Sequence, residues 1–233
     1  MAAGSFRYPC FRFWVYFCLS LVVAGCAAPQ NTVPASAPAS LSAESEGTSE
    51  VSTTPSQAAN TSAEEALWTK LMEADEETYV VLLRHAIAPG TGDPTNFQLD
   101  DCSTQRNLSD AGRQQAREIG ETFRDRNIPI IKVLSSQWCR CLETAELMDI
   151  APVEPFPALN SFFRDRSTAE SQTTQVKDYI AANEASSGVI VMVTHQVNIT
   201  ALSDIFPQSR SAVVMQSNDG QLEVLGELLK DDS

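Results

Sequence analysis

Two histidines occur among 233 residues, and each stands directly after an apolar run: His85 after "YVVLLR" and His195 after "GVIVMVT". Arg84 precedes the first, and Arg140 sits in "SSQWCRCLETA", just past a third apolar run. Burying a charge is costly unless something pairs with it. Charged and titratable residues at run ends therefore point to the rim of a core, not its interior. Two guanidiniums and two imidazoles at one place suit a small dianion, because arginine pairs bidentately with phosphate oxygens. A neutral imidazole is a good nucleophile toward phosphorus near neutral pH, and neighbouring guanidiniums favour that neutral form by disfavouring a further positive charge. The chemistry indicated is capture and transfer of a phosphoryl group.

Such a site needs elements that bring distant residues together. "SAEEALWTKLMEAD" reads as a helix, and Tyr79 to Leu83 as a buried strand followed by a long Gly-, Pro- and Asp-rich loop. "LSDAGRQQAREIGETFRDRN" is a helix with Ser109 as N-cap and a stripe through Ala116, Ile119, Gly120 and Phe123. "IPIIKVLSS" is a second strand, ending at Ser135-Ser136, and "QWCRCLETAELMD" the helix after it. "VEPFPALNSFF" is irregular or a short edge strand, since its prolines cannot donate to a ladder. A helix over "SQTTQVKDYIAANEA", the strand "GVIVMVT" and the helix "NITALSDIF" follow. "SAVVMQSNDGQLEVLGEL" carries Asn218-Asp219-Gly220 between two alternating runs, a hairpin signal. Strands alternating with helices imply an α/β fold: a three-layer α/β/α sandwich with a mainly parallel central sheet and a C-terminal hairpin. Ligands in such sheets gather outside the carboxyl ends of the strands, where Arg84, His85, Arg140 and His195 all fall. Helix N-termini from Gln137 and from Val197 would add amide donors there.

The ends of the chain differ in kind from this domain. Residues 1–25 carry Arg7 and Arg12, no acid, a short apolar core and then small residues, the layout of a secretory signal. The apolar core is short of the roughly 20 residues that span a bilayer. Val23-Ala24-Gly25-Cys26 resembles the bacterial lipobox, which implies cleavage before Cys26 and its acylation; an ordinary signal with a chance cysteine is the alternative. Residues 26–62 are rich in Ala, Ser, Thr, Pro, Gln and Glu and bury too little to order themselves, so they read as a disordered tether. The folded domain is expected over 63–233. Net charge is −14, which argues against nucleic acid or anionic lipid as a broad-surface partner and leaves membrane contact to a lipid anchor. Of six cysteines, Cys102, Cys139 and Cys141 remain in the domain. Their C-x-C spacing with no second pair does not suit zinc, and no metal or cofactor is expected.

Several segments together resemble the histidine phosphatase superfamily, the phosphoglycerate-mutase-like enzymes. Arg84-His85-Ala86 is similar to that family's R-H-G/A signature, "NLSDAGRQQAREIG" to its L-T/S-x-x-G-x-x-Q-A helix, "VLSSQWCRCLETAEL" to its S-S-x-x-x-R-x-x-x-T-A run and "VMVTHQVNI" to its second-histidine strand. The resemblance implies a metal-independent phosphatase in which His85 attacks the phosphoryl group to form a covalent phosphohistidine. Arg84, Arg140 and His195 would bind the equatorial oxygens, and Arg106 either closes over the pocket from the loop or faces solvent. Ser135 and Thr194 would shape the strand ends. A bridge from Cys102 to Cys139 or Cys141, which flank Arg140, would pin the loop over the pocket; three buried thiols are the alternative.

This sequence also departs from the family. The glutamate that often protonates the leaving oxygen is missing from "PALNSFF", which offers Asn160, and Gln196, not aspartate, follows His195. Asp93, Asp100 and Asp101 in the first loop are the remaining candidates. Without a strong acid, substrates with good leaving groups are expected, among them phosphoanhydrides, phosphoramidates and aryl phosphates. The resemblance to small extracytoplasmic members suggests a phosphorylated envelope sugar as a narrower substrate class, on a lipid-anchored protein facing the periplasm or the cell surface of a bacterium. A competing reading is a non-catalytic module that binds phosphate or a phosphorylated glycan in the same pocket.

Overall fold

The computed structural model describes residues 55–230. The expected signal over residues 1–25, the lipidation site Cys26 and the tether up to residue 54 lie outside the described residues. The first helix, α1 (Pro55–Met72), starts earlier than composition suggested, so residues 55–62 are helical instead of forming the end of a tether. Proline is tolerated in a first helical turn, and no glycine or further proline interrupts the segment after it. What holds α1 is packing: Trp68 is buried and meets Phe123 edge-on at 5.3 Å, with the Arg126 guanidinium 4.8 Å from the indole centre.

The remaining elements follow the expected order: β1 (Thr78–Arg84), α2 (Asp110–Asp125), β2 (Ile130–Ser135), α3 (Cys139–Met148), β3 (Val153–Pro155), α4 (Ala169–Ala182), β4 (Gly188–Thr194), α5 (Gln196–Ser203), β5 (Ala212–Asn218) and β6 (Gln221–Leu228). They form one sheet ordered β3-β2-β4-β1-β5-β6. β1 through β4 pair in parallel, and the hairpin β5–β6 adds two antiparallel strands. The two-residue turn between them is Asp219-Gly220, both at positive φ, as a twisted hairpin requires.

Strand side chains alternate between two apolar layers. Tyr79, Val81 and Leu83 of β1 join Val189, Val191 and Val193 of β4 beneath α1, α2 and α3, while Val80, Leu82, Ile190 and Met192 pack beneath α4 and α5. Covering helices on both faces explain why the central strands read as unbroken apolar runs. Ser109 caps α2 by accepting from the Gly112 N–H at 3.0 Å. Gly112 and Gly120 permit close approach: a Cβ would lie 2.1 Å from the Ile87 carbonyl oxygen at the first and 1.9 Å from that of Met148 at the second. α2 is thereby pressed against α3 and against the turn that follows His85.

Candidate active site

The pairing of β1 with β4 sets Arg84 opposite Thr194. His85 and His195 are the next residues on each strand, so both imidazoles leave adjacent strands at one level, their ring centroids 5.5 Å apart. β2 ends at Ser135 opposite Val193, and after a short turn α3 presents Arg140 from its first turn. Thr144 Oγ1 accepts from the Ala86 N–H at 3.1 Å, Gln115 Oε1 from the Ile87 N–H at 3.0 Å, and the Ile87 carbonyl from the Ser109 N–H at 3.1 Å. Ser109, Gln115 and Thr144 therefore serve the site by fixing the turn that holds His85.

Arg84, His85, Arg106, Arg140 and His195 line one cavity of about 370 Å³. The expected constellation thus meets in one place. The His85 Nδ1 lies 2.8 Å from the Ala86 carbonyl oxygen. A carbonyl only accepts, so Nδ1 carries the proton and Nε2 keeps its lone pair. Arg140 donates to that Nε2 at 3.2 Å through Nε and to His195 Nδ1 at 3.4 Å through a terminal nitrogen. His195 Nε2–H can then donate to Ser136 Oγ at 2.9 Å. Burial, reinforced by the Arg140 charge, pushes the His85 pKa down to about 3 and holds His195 well below the usual histidine range. Both rings are neutral at neutral pH. Arg84 anchors one nitrogen on the Pro207 carbonyl at 2.9 Å, while its Nε is buried with no hydrogen-bond partner among the described residues. A phosphate oxygen would supply that partner.

Asp93, one of three proton-donor candidates, lies in this cavity but is occupied. Its carboxylate pairs bidentately with Arg140 at 2.7 and 3.2 Å, with the two side chains 6% and 3% exposed. The Arg106 backbone N–H and the Trp138 indole N–H also donate to it at 3.1 Å each. Burial alone would raise its pKa, but these partners, Arg140 foremost, outweigh that and hold it below the usual carboxylate value. Three guanidiniums and one carboxylate leave two positive charges at the centre, matched to a phosphate dianion.

Other expectations need correction. Asp100 and Asp101 do not line the cavity; both are exposed, and Asp101 caps the turn Cys102–Thr104 by accepting from the Ser103 N–H at 2.9 Å. The amides before and at the start of α3 are already engaged: those of Gln137, Trp138 and Cys139 donate to Asn160 Oδ1, Ser136 Oγ and Gln105 Oε1. Gln196 and Val197 at the start of α5 do line the cavity. Asn160 does not face it; the next residue, Ser161, does. Arg106 lies over the pocket from the loop, the first of its two expected placements, and does not face solvent. It donates to the Gly92 carbonyl at 2.8 Å and to that of Ala88, so it braces the loop while lining the cavity. Ser135 and Thr194 bond backbone carbonyls, of Ser136 at 2.8 Å and Leu159 at 2.7 Å. Cys102 is bonded to Cys139, leaving Cys141 as a buried thiol whose pKa burial pushes up to about 12.

Sequence reasoning missed the cavity's outer wall of Phe97, Trp138 and Phe163, and the pairing of Asp93 with Arg140. A signal existed for the second, because a buried guanidinium demands an anion and the facing loop is acidic.

The profile of the histidine phosphatase superfamily (branch 1) matches residues 80–164. That segment, which carries Arg84, His85, Arg106 and Arg140, is similar to that superfamily; His195 lies beyond it. Comparison with curated proteins gives no sequence match. Among solved structures, the protein histidine phosphatase SixA complexed with tungstate is 14% identical, with 64% of this chain and 95% of that one covered and a TM-score of 0.48. Bacillus stearothermophilus YhfR is 15% identical, covering 64% and 96%, with a TM-score of 0.49. The mycobacterial glucosyl-3-phosphoglycerate phosphatase complexed with VO3 is 18% identical, covering 63% and 96%, with a TM-score of 0.48.

Proposed function

We propose that the domain is a metal-independent phosphatase that works through a covalent phosphohistidine on His85. The observation that carries the reading is a neutral, tautomer-fixed imidazole whose Nε2 lone pair, held by Arg140 Nε–H in the free site, lies at the inner end of a cavity lined by Arg84, Arg106 and Arg140, with Arg164 at its rim. As substrate binds, the Arg140 Nε–H turns from Nε2 to a phosphoryl oxygen, and the freed lone pair forms a bond to phosphorus as the bond to the leaving oxygen breaks. Water then attacks phosphorus, the N–P bond breaks, and inorganic phosphate leaves with His85 neutral again. Arg84, Arg106 and Arg140 stabilise the charge on the equatorial oxygens in both steps. His195, neutral and 4% exposed, orders Arg140 and the inner wall. The superfamily match over residues 80–164 supports the same chemistry.

The engagement of Asp93 by Arg140 favours a second reading, a module that binds a phosphorylated compound without turnover. Assay of the mature protein with 4-nitrophenyl phosphate separates the two. Turnover that falls about a thousandfold or more in His85→Ala, with the fold retained, supports the phosphatase. Phosphate binding without turnover supports the module. The N-terminal residues support export and lipid anchoring at Cys26, outside the cytoplasm of a bacterium and facing the periplasm or the cell surface. Cys26→Ala should move the protein from the membrane to the soluble fraction, and retention in the membrane would overturn the anchor.

A further inference from the structure

Beyond the phosphate centre, the cavity has a second half whose chemistry differs. Phe97 and Trp138 stack at 4.9 Å and 24°, and Trp138 meets His195 edge-on at 5.4 Å, so the aromatic wall begins beside the inner imidazole. Phe163 stands 49% exposed on the facing segment, 3.9 Å from where a Cβ on Gly92 would lie. Arg164 reaches across the rim to the Pro94 carbonyl at 3.0 Å. The exposed polar residues of the lining, Thr91, Arg164 and Asp165, belong to that rim. A cavity of about 370 Å³ exceeds what a phosphate alone fills, and Phe97, Trp138, Phe163 and Val197 supply the large apolar side chains of its lining, beside Ser161, Gln196 and the polar rim.

A second observation bears on the same half. Among the described residues, two carboxylates line the cavity, and neither is a ready proton source. Asp93 is held as an anion by Arg140, Trp138 and Arg106. Asp165 caps a turn by accepting from the Ser167 N–H at 2.9 Å, which keeps it ionised as well. Both imidazoles are neutral. An alkoxide leaving from a sugar or glycerol phosphate would find no acid here, whereas a phenolate needs none.

From the aromatic wall and the missing acid together we infer that the substrate is an aryl phosphate monoester, its ring lodged against Phe163 and the Phe97–Trp138 pair. This rests on the phosphatase reading above and narrows it away from envelope sugar phosphates.

Four phosphates test it by separating ring from leaving group: phenyl phosphate has both features, benzyl phosphate the ring alone, acetyl phosphate the good leaving group alone, and glycerol phosphate neither. With the mature protein, and with His85→Ala as background, kcat/KM should be highest for phenyl phosphate. It should fall about a hundredfold or more for benzyl phosphate, the factor a general acid would otherwise supply. Phe163→Ala should raise KM for phenyl and benzyl phosphate about three- to tenfold and leave acetyl phosphate unchanged. Phe163→Leu, which keeps apolar bulk, should recover only part of that loss. Benzyl phosphate turned over as fast as phenyl phosphate, glycerol phosphate as the best substrate, or an equal effect of Phe163→Ala on all four overturns the inference alone. No turnover of any, acetyl phosphate included, removes the phosphatase reading and the inference with it.

Discussion

Replacing Asp93 by Asn removes the charge from the Arg140 clamp while keeping one acceptor of similar shape. The wild-type pair is bidentate, at 2.7 and 3.2 Å, and nearly sealed from solvent. Arg140 would retain its contacts with His85 Nε2, His195 Nδ1 and the Arg106 carbonyl, so its side chain loosens but stays in place. A hydrogen bond to a charged group contributes about 1.5–3 kcal/mol, which corresponds to a loss of about 10- to 150-fold in kcat if the clamp orients Arg140 for the transition state. Removing a negative charge beside a dianion also works against any rise in KM. A positioning role and an acid role then part company. If Asp93 only orients Arg140, the loss is the same for 4-nitrophenyl, phenyl and benzyl phosphate, and the alkaline limb of the pH–rate profile does not move. An acid would give a loss that grows with leaving-group basicity and would take that limb with it. Steady-state kinetics on the three esters decide the matter, and a loss confined to benzyl phosphate would refute the positioning role.

Three further outcomes follow from the same geometry. Both histidines have folded pKa values below the unfolded value of about 6.5, so the unfolded chain takes up protons first as pH falls. Stability is therefore full above about pH 6.5 and declines as pH falls below it, by up to about 1.4 kcal/mol per pH unit for each ring, the His85 contribution running down to about pH 3. Urea denaturation between pH 7 and 5, above the range where carboxylates titrate, should show this slope, and His85→Ala with His195→Ala should flatten it. Reducing the Cys102–Cys139 bond, which spans 37 residues of sequence, should cost about 4 kcal/mol by loop entropy and raise KM, because Gln105 and Arg106 lie on the released loop; unchanged urea midpoints in reductant would contradict this. Gly112→Ala places a methyl where the Ile87 carbonyl stands, so α2 must shift from the turn behind His85. Thermal unfolding should show a loss of about 2 kcal/mol or more, and a neutral result would mean that this contact is loose.

Much of the fold was legible because the two periodicities of the chain are clean. Unbroken apolar, valine-rich runs at 80–83 and 189–193 are short enough to read as strands covered on both faces, and the stripe through Ala116, Ile119 and Phe123 buries one side of a helix. Ser109 as a cap and Asp219-Gly220 as a hairpin turn are local chemistry, and local chemistry is readable without a partner. The convergence of Arg84, His85, Arg140 and His195 was legible for a topological reason: all four stand at or just past the carboxyl ends of strands that run the same way. What escaped depends on distances that no spacing encodes. Asp93 looked like any loop carboxylate until its contact with Arg140, 47 positions away, made it a clamp. The α3 amides looked free until Asn160, Ser136 and Gln105 claimed them. Phe163, next to the buried Phe162, carried no sign of which aromatic would turn outward. The start of α1 was misplaced because low hydrophobicity marks a weak core contribution, not the absence of helix.

The nucleophilic role of His85 is the claim on which the other proposals stand. Rapid mixing of the mature protein with 4-nitrophenyl phosphate, a denaturing alkaline quench and peptide mapping tests it directly. The account predicts an acid-labile, alkali-stable phosphoryl adduct on the peptide containing His85, formed within one turnover, lost on a chase with unlabelled substrate and absent from His85→Ala. Turnover with no adduct, or with the adduct on another residue, would contradict it.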